Sequence, residues 1–94
     1  MAVYAVQYHY QENSDAQKDE YRPSHREWLS GQFEAGRLLA SGPFVGVSGA
    51  LLIWKANSAD ELRELLAHDP FSVQNLIAQT DVTEWTNFFG PWAS

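Results

Sequence analysis

The sequence predicts an α+β fold of the ferredoxin-like kind, with the element order β-α-β-β-α-β and one antiparallel sheet. Three observations support this prediction. Runs rich in β-branched and aromatic residues indicate four strands, at 3–10, 38–44, 48–56 and 78–89. Helical periodicity fills the gap after the first strand and the gap after the third. A length of 94 residues corresponds to one domain, residues 1–94.

The first strand and the first helix follow from periodicity. In residues 3–10 three tyrosines and a valine share one face, and the alternate positions share the other. A helix is predicted to follow a turn at 13–15 and to end near Ala35. Pro23 is expected in a first turn, where its missing N–H costs nothing, so the sequence leaves open whether helix precedes it. Gly36 suits the left-handed position after a helix.

The second half of the chain begins with a predicted hairpin. Only a short segment, residues 45–47, connects strands two and three. The second helix begins at Ser58 with a capping box, in which the Ser58 hydroxyl accepts from the Glu61 amide and the Glu61 carboxylate reaches back. It is expected to end near Asp69, because Pro70 disfavours helical geometry in the residue before it.

Composition narrows the class of protein. Six Lys and Arg oppose twelve Asp and Glu, and the net charge of −6 disfavours a nucleic-acid partner because an acidic surface repels phosphates. No apolar run approaches the roughly 20 residues that cross a bilayer, and the N-terminus does not resemble a signal peptide. A cytoplasmic protein without a membrane partner is therefore expected. Cysteine is absent, which excludes disulfides and thiolate sites.

The aromatic content predicts a second subunit. The chain has four Trp, four Tyr and five Phe, which is generous for one small core. A domain of this size buries only about 60–65% of the surface that its unfolded chain exposes. Neither face of the predicted sheet is clearly polar, so both faces need a cover. We therefore expect helices on one face and the sheet of a second copy on the other, in a homodimer formed through the sheet face.

Two residues are candidates for proton transfer. His25 lies on the apolar stripe of the first helix, beside Trp28 and Leu29, and half-buried imidazoles titrate near neutrality. Asp69 would fix the tautomer of that imidazole if the fold brings the two side chains together. Each residue also has a structural explanation. His25 could be a core histidine bonded to a backbone carbonyl, and Asp69 could cap the turn that Pro70 begins.

Other polar positions have both functional and structural explanations. Arg22 precedes His25 by three residues, so it could hold an anionic substrate or remain a solvated surface group. Ser41, Gly42 and Pro43 could offer a hydroxyl and backbone amides to a ligand, or simply end a strand. No metal site is expected, because the three histidines lack ligand spacing. No nucleotide cofactor is expected either, because there is no glycine-rich phosphate loop.

Three motifs taken together resemble a known family. They are Arg22-Pro-Ser-His25, the run GRLLASGP at 36–43, and Asp69-Pro-Phe71, in that order across nearly the whole chain. The combination resembles the YciI-like family of the dimeric α+β barrel superfamily. The resemblance implies a ferredoxin-like protomer whose sheet packs on a partner's sheet. It also implies a conserved histidine and aspartate that face each other in a small cleft, here His25 and Asp69.

The resemblance also implies a class of function. Family members have been regarded as enzymes because of that pair; one is a dehydrochlorinase of a chlorinated hydroxyquinol, and muconolactone isomerase is a more distant relative. We therefore expect a cofactor-independent lyase or isomerase in which His25 and Asp69 move a proton on a small cyclic or aromatic substrate. Arg22, residues 41–43 and Phe71 would bind that substrate. Tyr8, Trp28, Trp54 and Phe71 are candidates for the apolar walls of the cleft, although packing in the core explains each of them equally well. The alternative is a non-catalytic dimeric module that binds a small molecule or a protein. A cofactor-independent monooxygenase is a third, weaker possibility.

Overall fold

A computed structural model describes residues 1–93, so the expected domain boundary at Ser94 lies outside the described residues. The four strands form one antiparallel sheet in the order β2-β3-β1-β4. The predicted α+β, ferredoxin-like fold is confirmed, with one extra helical turn before the last strand. The elements are β1 (Ala2–Tyr10), α1 (Asp15–Glu34), β2 (Leu38–Pro43), β3 (Ala50–Ala56), α2 (Ala59–Leu66), α3 (Pro70–Val73) and β4 (Ile77–Glu84).

One face of the sheet forms the core beneath the helices. Tyr4, Val6 and Tyr8 of β1 are almost completely buried and lie opposite buried residues of β3. Trp54 of β3 is also fully buried, and its ring lies 5.7 Å from that of Trp28 in α1. Each such side chain contributes roughly 1.5–3 kcal/mol through burial. This packing fixes α1 on the core face of the sheet.

Helix α1 corrects the expectation for Pro23. The helix begins at Asp15, so two turns of helix precede Pro23, which lies in the helix interior. A proline there leaves the carbonyl of Asp19 without its helical donor. Pro23 is exposed, so water can reach that carbonyl. Gly36 does follow the helix with φ at 81°, as predicted. In the described part of the chain, no helix has the length and apolar content that crossing a bilayer requires.

Strand β2 contains a β-bulge. From Leu38 to Ala40 the chain advances two residues, while its partner strand β3 advances one. Leu39 is therefore the extra residue, and it changes which side chains face the core. Beyond it, Ser41 and Pro43 lie opposite buried residues of β3, on the helix-covered face of the sheet.

The connection between β2 and β3 is longer than predicted. The expected hairpin is present, but β3 begins at Ala50 instead of Ser48, so the loop covers residues 44–49. Gly49 is the reason for this start. Its φ is 131°, and a Cβ atom added to it would lie 2.6 Å from the backbone oxygen of Tyr8. Only glycine allows the loop to approach β1 so closely.

We expect Gly49→Ala to lower the free energy of unfolding by about 2 kcal/mol or more, because the added methyl group meets backbone and the φ angle becomes strained. Chemical denaturation followed by tryptophan fluorescence measures this. Gly31→Ala is the matched control, since Gly31 lies within α1 and a Cβ there meets no atom within 4 Å. It should be neutral or stabilising by roughly 0.5–1 kcal/mol. Equal stability of Gly49→Ala and the parent protein would contradict the prediction.

The fourth strand is shorter than predicted. It was expected at 78–89, but it ends at Glu84, and only the amide of Trp85 continues the pairing by donating to the Val3 carbonyl. The two strands are antiparallel, so beyond Trp85 β1 has almost no residues left to pair with β4. Phe88 and Phe89 consequently lie on the surface instead of in the sheet.

The open face of the sheet is divided into two halves. Along β3 it is apolar at the partly exposed Leu51 and at Ile53, which lies opposite Ala5 of β1, and it ends at the exposed Lys55. Toward β4 it is polar, and His9 Nε2 lies 2.8 Å from Asp81 Oδ2. The expectation that neither face is clearly polar therefore applies to the β2–β3 half of this face and is wrong for the β4 half.

Candidate active site

Asp69 lies completely buried between α2 and α3. It caps α3, because its Oδ1 accepts a hydrogen bond of 2.9 Å from the Phe71 amide and Pro70 takes the first helical position. This is the structural role expected of an aspartate before a proline. The Tyr8 hydroxyl donates to the other oxygen, Oδ2, at 2.9 Å. A strand and a helical turn therefore both hold the carboxylate in place.

His25 is the third group on this carboxylate. Its Nδ1 lies 2.7 Å from Asp69 Oδ1, although the two residues are 44 positions apart in the chain. The imidazole ring stacks on Phe71, with ring centroids 3.9 Å apart and planes within 5°. The carboxylate accepts from Nδ1–H, which leaves Nε2 as the ring nitrogen available to a ligand. Among the described residues, the side-chain hydrogen bond of His25 is the one to Asp69, and it uses Nδ1.

Within the described part of the chain, the negative charge of Asp69 is balanced by hydrogen bonds and not by a neighbouring cation. No lysine or arginine of the described residues lies within ion-pair distance of Asp69. The buried carboxylate is instead balanced by three hydrogen-bond donors, from Tyr8, Phe71 and His25. An aspartate in this position orients the imidazole and stabilises the imidazolium that forms when the ring accepts a proton.

The tyrosines beside Asp69 stay neutral. Burial raises the pKa of Tyr8 well above its usual value of 10, and the charge of Asp69 and the hydrogen bond to it raise the pKa further. Burial is also the main cause that raises the pKa of Tyr10, followed by the charge of Asp69, while the positive charge of Arg22 lowers it. Tyr8 is therefore a permanent donor to Asp69 and not a second base.

We expect the stability of the protein to fall as the pH rises above about 10. In the folded state Tyr8 and Tyr10 keep their protons at a pH where the tyrosines of an unfolded chain would lose them. Their contribution to the free energy of unfolding is therefore fully present below the pKa of an unfolded tyrosine and declines as the pH rises above it. Urea unfolding from about pH 8 to about pH 11 measures the slope. Tyr8→Phe should reduce the slope. An identical slope in this variant would contradict the assignment.

A cleft of about 350 Å³ opens in front of His25. Tyr8, Leu52 and Phe71 form its base, α1 forms one side, and the β2–β3 hairpin with its loop forms the other. Asp69 lies behind His25 and acts on the cleft through it. The other residues predicted for the site all line the cleft: Arg22, His25, Ser41, Gly42, Pro43 and Phe71.

Some residues of the cleft differ from expectation. Trp28 and Trp54 were candidate walls, but they pack on each other in the core and do not line the cleft. Tyr8 was also a candidate wall, and it has the further role of hydrogen-bonding Asp69. Lys18 and Arg26 line the cleft and were not predicted. Their spacing from Arg22 by four residues each was the signal in the sequence that would have indicated them.

The remaining histidines lie apart from this cleft. His9 is on the open face of the sheet and His68 follows α2, and neither lines the cleft. Within residues 1–93, no group of three or more His, Asp or Glu side chains is placed to hold one metal ion.

Comparison with known proteins agrees with the fold. A family model described as the YCII-related domain matches residues 2–86. A 5-chloro-2-hydroxyhydroquinone dehydrochlorinase from Burkholderia phenoliruptrix AC1100, solved in complex with 2,5-dihydroxybenzoquinone, matches with a TM-score of 0.81 and 22% identity, over 98% of this chain and 99% of that one. No curated protein matches the chain in sequence.

Two further solved structures are similar. A protein from Agrobacterium tumefaciens matches with a TM-score of 0.59 and 15% identity, over 97% of this chain and 98% of that one. A NIPSNAP family protein from strain C58 of the same species matches with a TM-score of 0.58 and 19% identity, over 96% of each chain. At these identities the structural matches show that the fold is shared.

Proposed function

The chain belongs to the family of YCII-related domains, and from that premise we propose that it is a small-molecule enzyme in which His25 and Asp69 transfer a proton. The observation that carries the proposal is the 2.7 Å contact between His25 Nδ1 and the buried Asp69, at the wall of a cleft of about 350 Å³. This volume lies at the small end of the range for ligand pockets, which begins at about 300 Å³, so the cleft suits a compound with one ring. The ligand of the dehydrochlorinase, a dihydroxybenzoquinone, is such a compound.

In the proposed mechanism His25 Nε2 accepts a proton from the substrate. Asp69 keeps the proton of the free ring on Nδ1 and stabilises the imidazolium. In a dehydrochlorination, the substrate loses that proton and a chloride ion; in an isomerisation, His25 returns the proton to another atom of the ring. Both reactions balance without an oxidant or a reductant, so no redox cofactor is required.

Substrate binding is proposed for the residues that line the cleft. The guanidinium of Arg22, the hydroxyl of Ser41 and the backbone of Gly42 would bind oxygen atoms of the substrate. Pro43 and Phe71 would contact the apolar part of the ring. Because Phe71 already stacks on His25, a ring bound against Phe71 would lie beside the imidazole.

The test measures proton transfer directly. 5-Chloro-2-hydroxyhydroquinone and a set of small hydroxylated rings and lactones are incubated with the protein in D₂O, and NMR follows deuterium incorporation while an electrode follows chloride release. We expect incorporation or chloride release with at least one compound, and its loss in His25→Gln. Turnover of that compound by His25→Gln at the parent rate would overturn the proposal.

A specific observation favours the alternative, a non-catalytic binding module. Asp69 already has a structural role as the cap of α3 and as the acceptor of the Tyr8 hydroxyl, and neither role needs a reaction. In that case His25→Gln and Asp69→Asn would lower the melting temperature and leave ligand binding in place. This alternative would be identified by a compound that the parent protein binds without proton exchange and that both variants bind with the same affinity.

We further propose a homodimer in which a second copy covers the apolar half of the open sheet face. Leu51 is 37% exposed there, next to Ile53. Sedimentation at micromolar concentration is expected to show a dimer, and Leu51→Asp to shift it to monomer by placing a charge in the interface. Thr83→Asp, on the polar half of the same face, is the control. A monomer of the parent protein would exclude this dimer. The cytoplasmic location and the single domain over residues 1–94 remain predictions.

A further inference from the structure

We propose that the cleft selects an anionic substrate, whose negative group is bound by Lys18 and Arg26 together with Arg22. The inference rests on the proposed function, because it names the charge class of the ligand at the same site. It assigns a role in specificity to two residues, Lys18 and Arg26, that lie beyond the His25–Asp69 pair and the three sequence motifs.

The distribution of charge in the chain is the first observation. The protein is acidic, with twelve Asp and Glu against six Lys and Arg. The cleft reverses this balance: of residues 1–93, three of those six cations line it, and no Asp or Glu does. A concave site with apolar walls and charges of one sign concentrates its electric field and attracts ions of the opposite sign. An uncharged ligand would gain nothing from this arrangement.

The placement of the three cations is the second observation. They are spaced four residues apart on α1, so they lie on one side of the helix. Lys18 Nζ lies 4.1 Å from the centre of the Tyr10 ring, and the charge of Arg22 lowers the pKa of the same tyrosine. Tyr10 makes a T-shaped contact with Phe71, with ring centroids 5.9 Å apart, and Phe71 stacks on His25. The cations therefore run beside a row of rings that ends at the proposed base.

The three cations are also available to a ligand. Lys18 lies 3.4 Å from Asp15, and Arg22 contacts Asp19, in two pairs within the helix whose acidic partners are well exposed. The Lys18 side chain itself is only 12% exposed, but both carboxylates are in contact with water and make weak pairs, so an anion in the cleft can replace them. Arg26 has no carboxylate within ion-pair distance among the described residues, and its planar fork suits two oxygens of one ligand.

This geometry fixes how the substrate lies in the cleft. Its charged group, a carboxylate or an acidic ring hydroxyl, binds along α1. Its ring then reaches Phe71 and the imidazole of His25. The proton that His25 accepts consequently comes from a ring atom or a second hydroxyl, and not from the group that the cations bind.

The experiment compares two probes that have the same quinone ring and differ in charge, the uncharged one carrying two O-methyl groups. 2,5-Dihydroxybenzoquinone is a strong vinylogous acid and is ionised at neutral pH, and its dimethyl ether has the same ring without the charge. We expect the parent protein to bind the ionised quinone at least about tenfold more tightly than the ether, with an affinity that falls as salt is added. Arg26→Gln should weaken the ionised quinone by about tenfold and leave the ether unchanged.

Arg63→Gln is the matched control. It removes the same charge from the protein, but Arg63 lies on α2 and does not line the cleft. We expect it to leave the binding of both probes unchanged. Equal affinities of the two probes, no binding of the ionised quinone at millimolar concentration, or an equal loss in Arg63→Gln and Arg26→Gln would each overturn the inference.

The two proposals fail in different ways. Binding is repeated in His25→Gln, where the preference for the ionised quinone should persist because the three cations are intact. If His25→Gln turns over substrate at the parent rate, the proposed function fails and the charge preference stands. If the parent protein lacks the charge preference while His25→Gln loses turnover, only the inference about the cations fails.

Discussion

Asp69→Ala is expected to lower the free energy of unfolding by about 3–5 kcal/mol, the largest effect on stability that we expect from one side chain. The carboxylate is completely buried and accepts from the Tyr8 hydroxyl, the Phe71 amide and His25. Alanine leaves all three donors buried without an acceptor, and it removes the cap of α3. Thermal unfolding should show a melting temperature lower by roughly 15–30 °C.

Two further variants make this result specific. Asp69→Asn keeps an oxygen for the Phe71 amide and His25, so it should cost much less than Asp69→Ala. Asp60→Ala, at an exposed position in the first turn of α2, removes a charge without breaking a buried contact and should change stability by less than about 0.5 kcal/mol. If Asp69→Ala were as stable as Asp60→Ala, the buried network would not hold this part of the fold together.

His25→Gln is expected to lower kcat by about 10²–10⁴-fold, with a much smaller change in KM, because a positioned acid or base contributes this much to a proton transfer. Glutamine keeps polar atoms near Asp69, but its amide cannot accept a proton at neutral pH. The assay uses the compound that shows proton exchange with the parent protein. It is run well below the melting temperature of the variant, so that unfolding does not imitate the loss of a base.

His9→Gln is the matched control for this substitution. His9 also contacts a carboxylate, that of Asp81, at 2.8 Å, but it lies on the open face of the sheet and outside the cleft. Its kcat should equal that of the parent protein. If both histidine variants lost activity equally, the effect would follow from general destabilisation, and the role of His25 as the base would be wrong.

The sequence predicted the fold well because periodicity reports local geometry. The tyrosines of β1 alternate as a half-buried strand requires. The Ser58 half of the capping box is present, with Glu61 donating its amide at 3.1 Å, while the Glu61 carboxylate reaches back to Asn57 instead of Ser58. Two elements depended on tertiary contacts and were predicted less accurately. Pro23 lies inside α1 despite its helix-breaking tendency, and β4 stops early because β1 provides no further partner.

The site was predictable only in part. Periodicity placed His25 toward the interior, but its contact with Asp69 spans 44 positions, and in the sequence only the resemblance to a family implied it. The bond from Tyr8 to Asp69 could not be predicted, because the turn between α2 and α3 decides which strand residue the carboxylate meets. The four-residue spacing of Lys18 and Arg26 from Arg22 indicates that the three cations share one face of the helix. That this face borders a cleft depends on where the β2–β3 loop lies.

The extra residue in β2 has a consequence for how such a protein can change during evolution. Because Leu39 is unpaired, Leu38 and Ser41 face the same side of the sheet although they are three positions apart. Deleting Leu39 would leave Leu38 opposite Trp54 and Ser41 opposite Leu52, so Ser41 and Pro43 would keep facing the cleft, and His25 and Asp69 would not be touched. An edge strand with such a bulge can lose or regain that residue while the wall that contacts a ligand, and the network that supports the fold, are inherited unchanged.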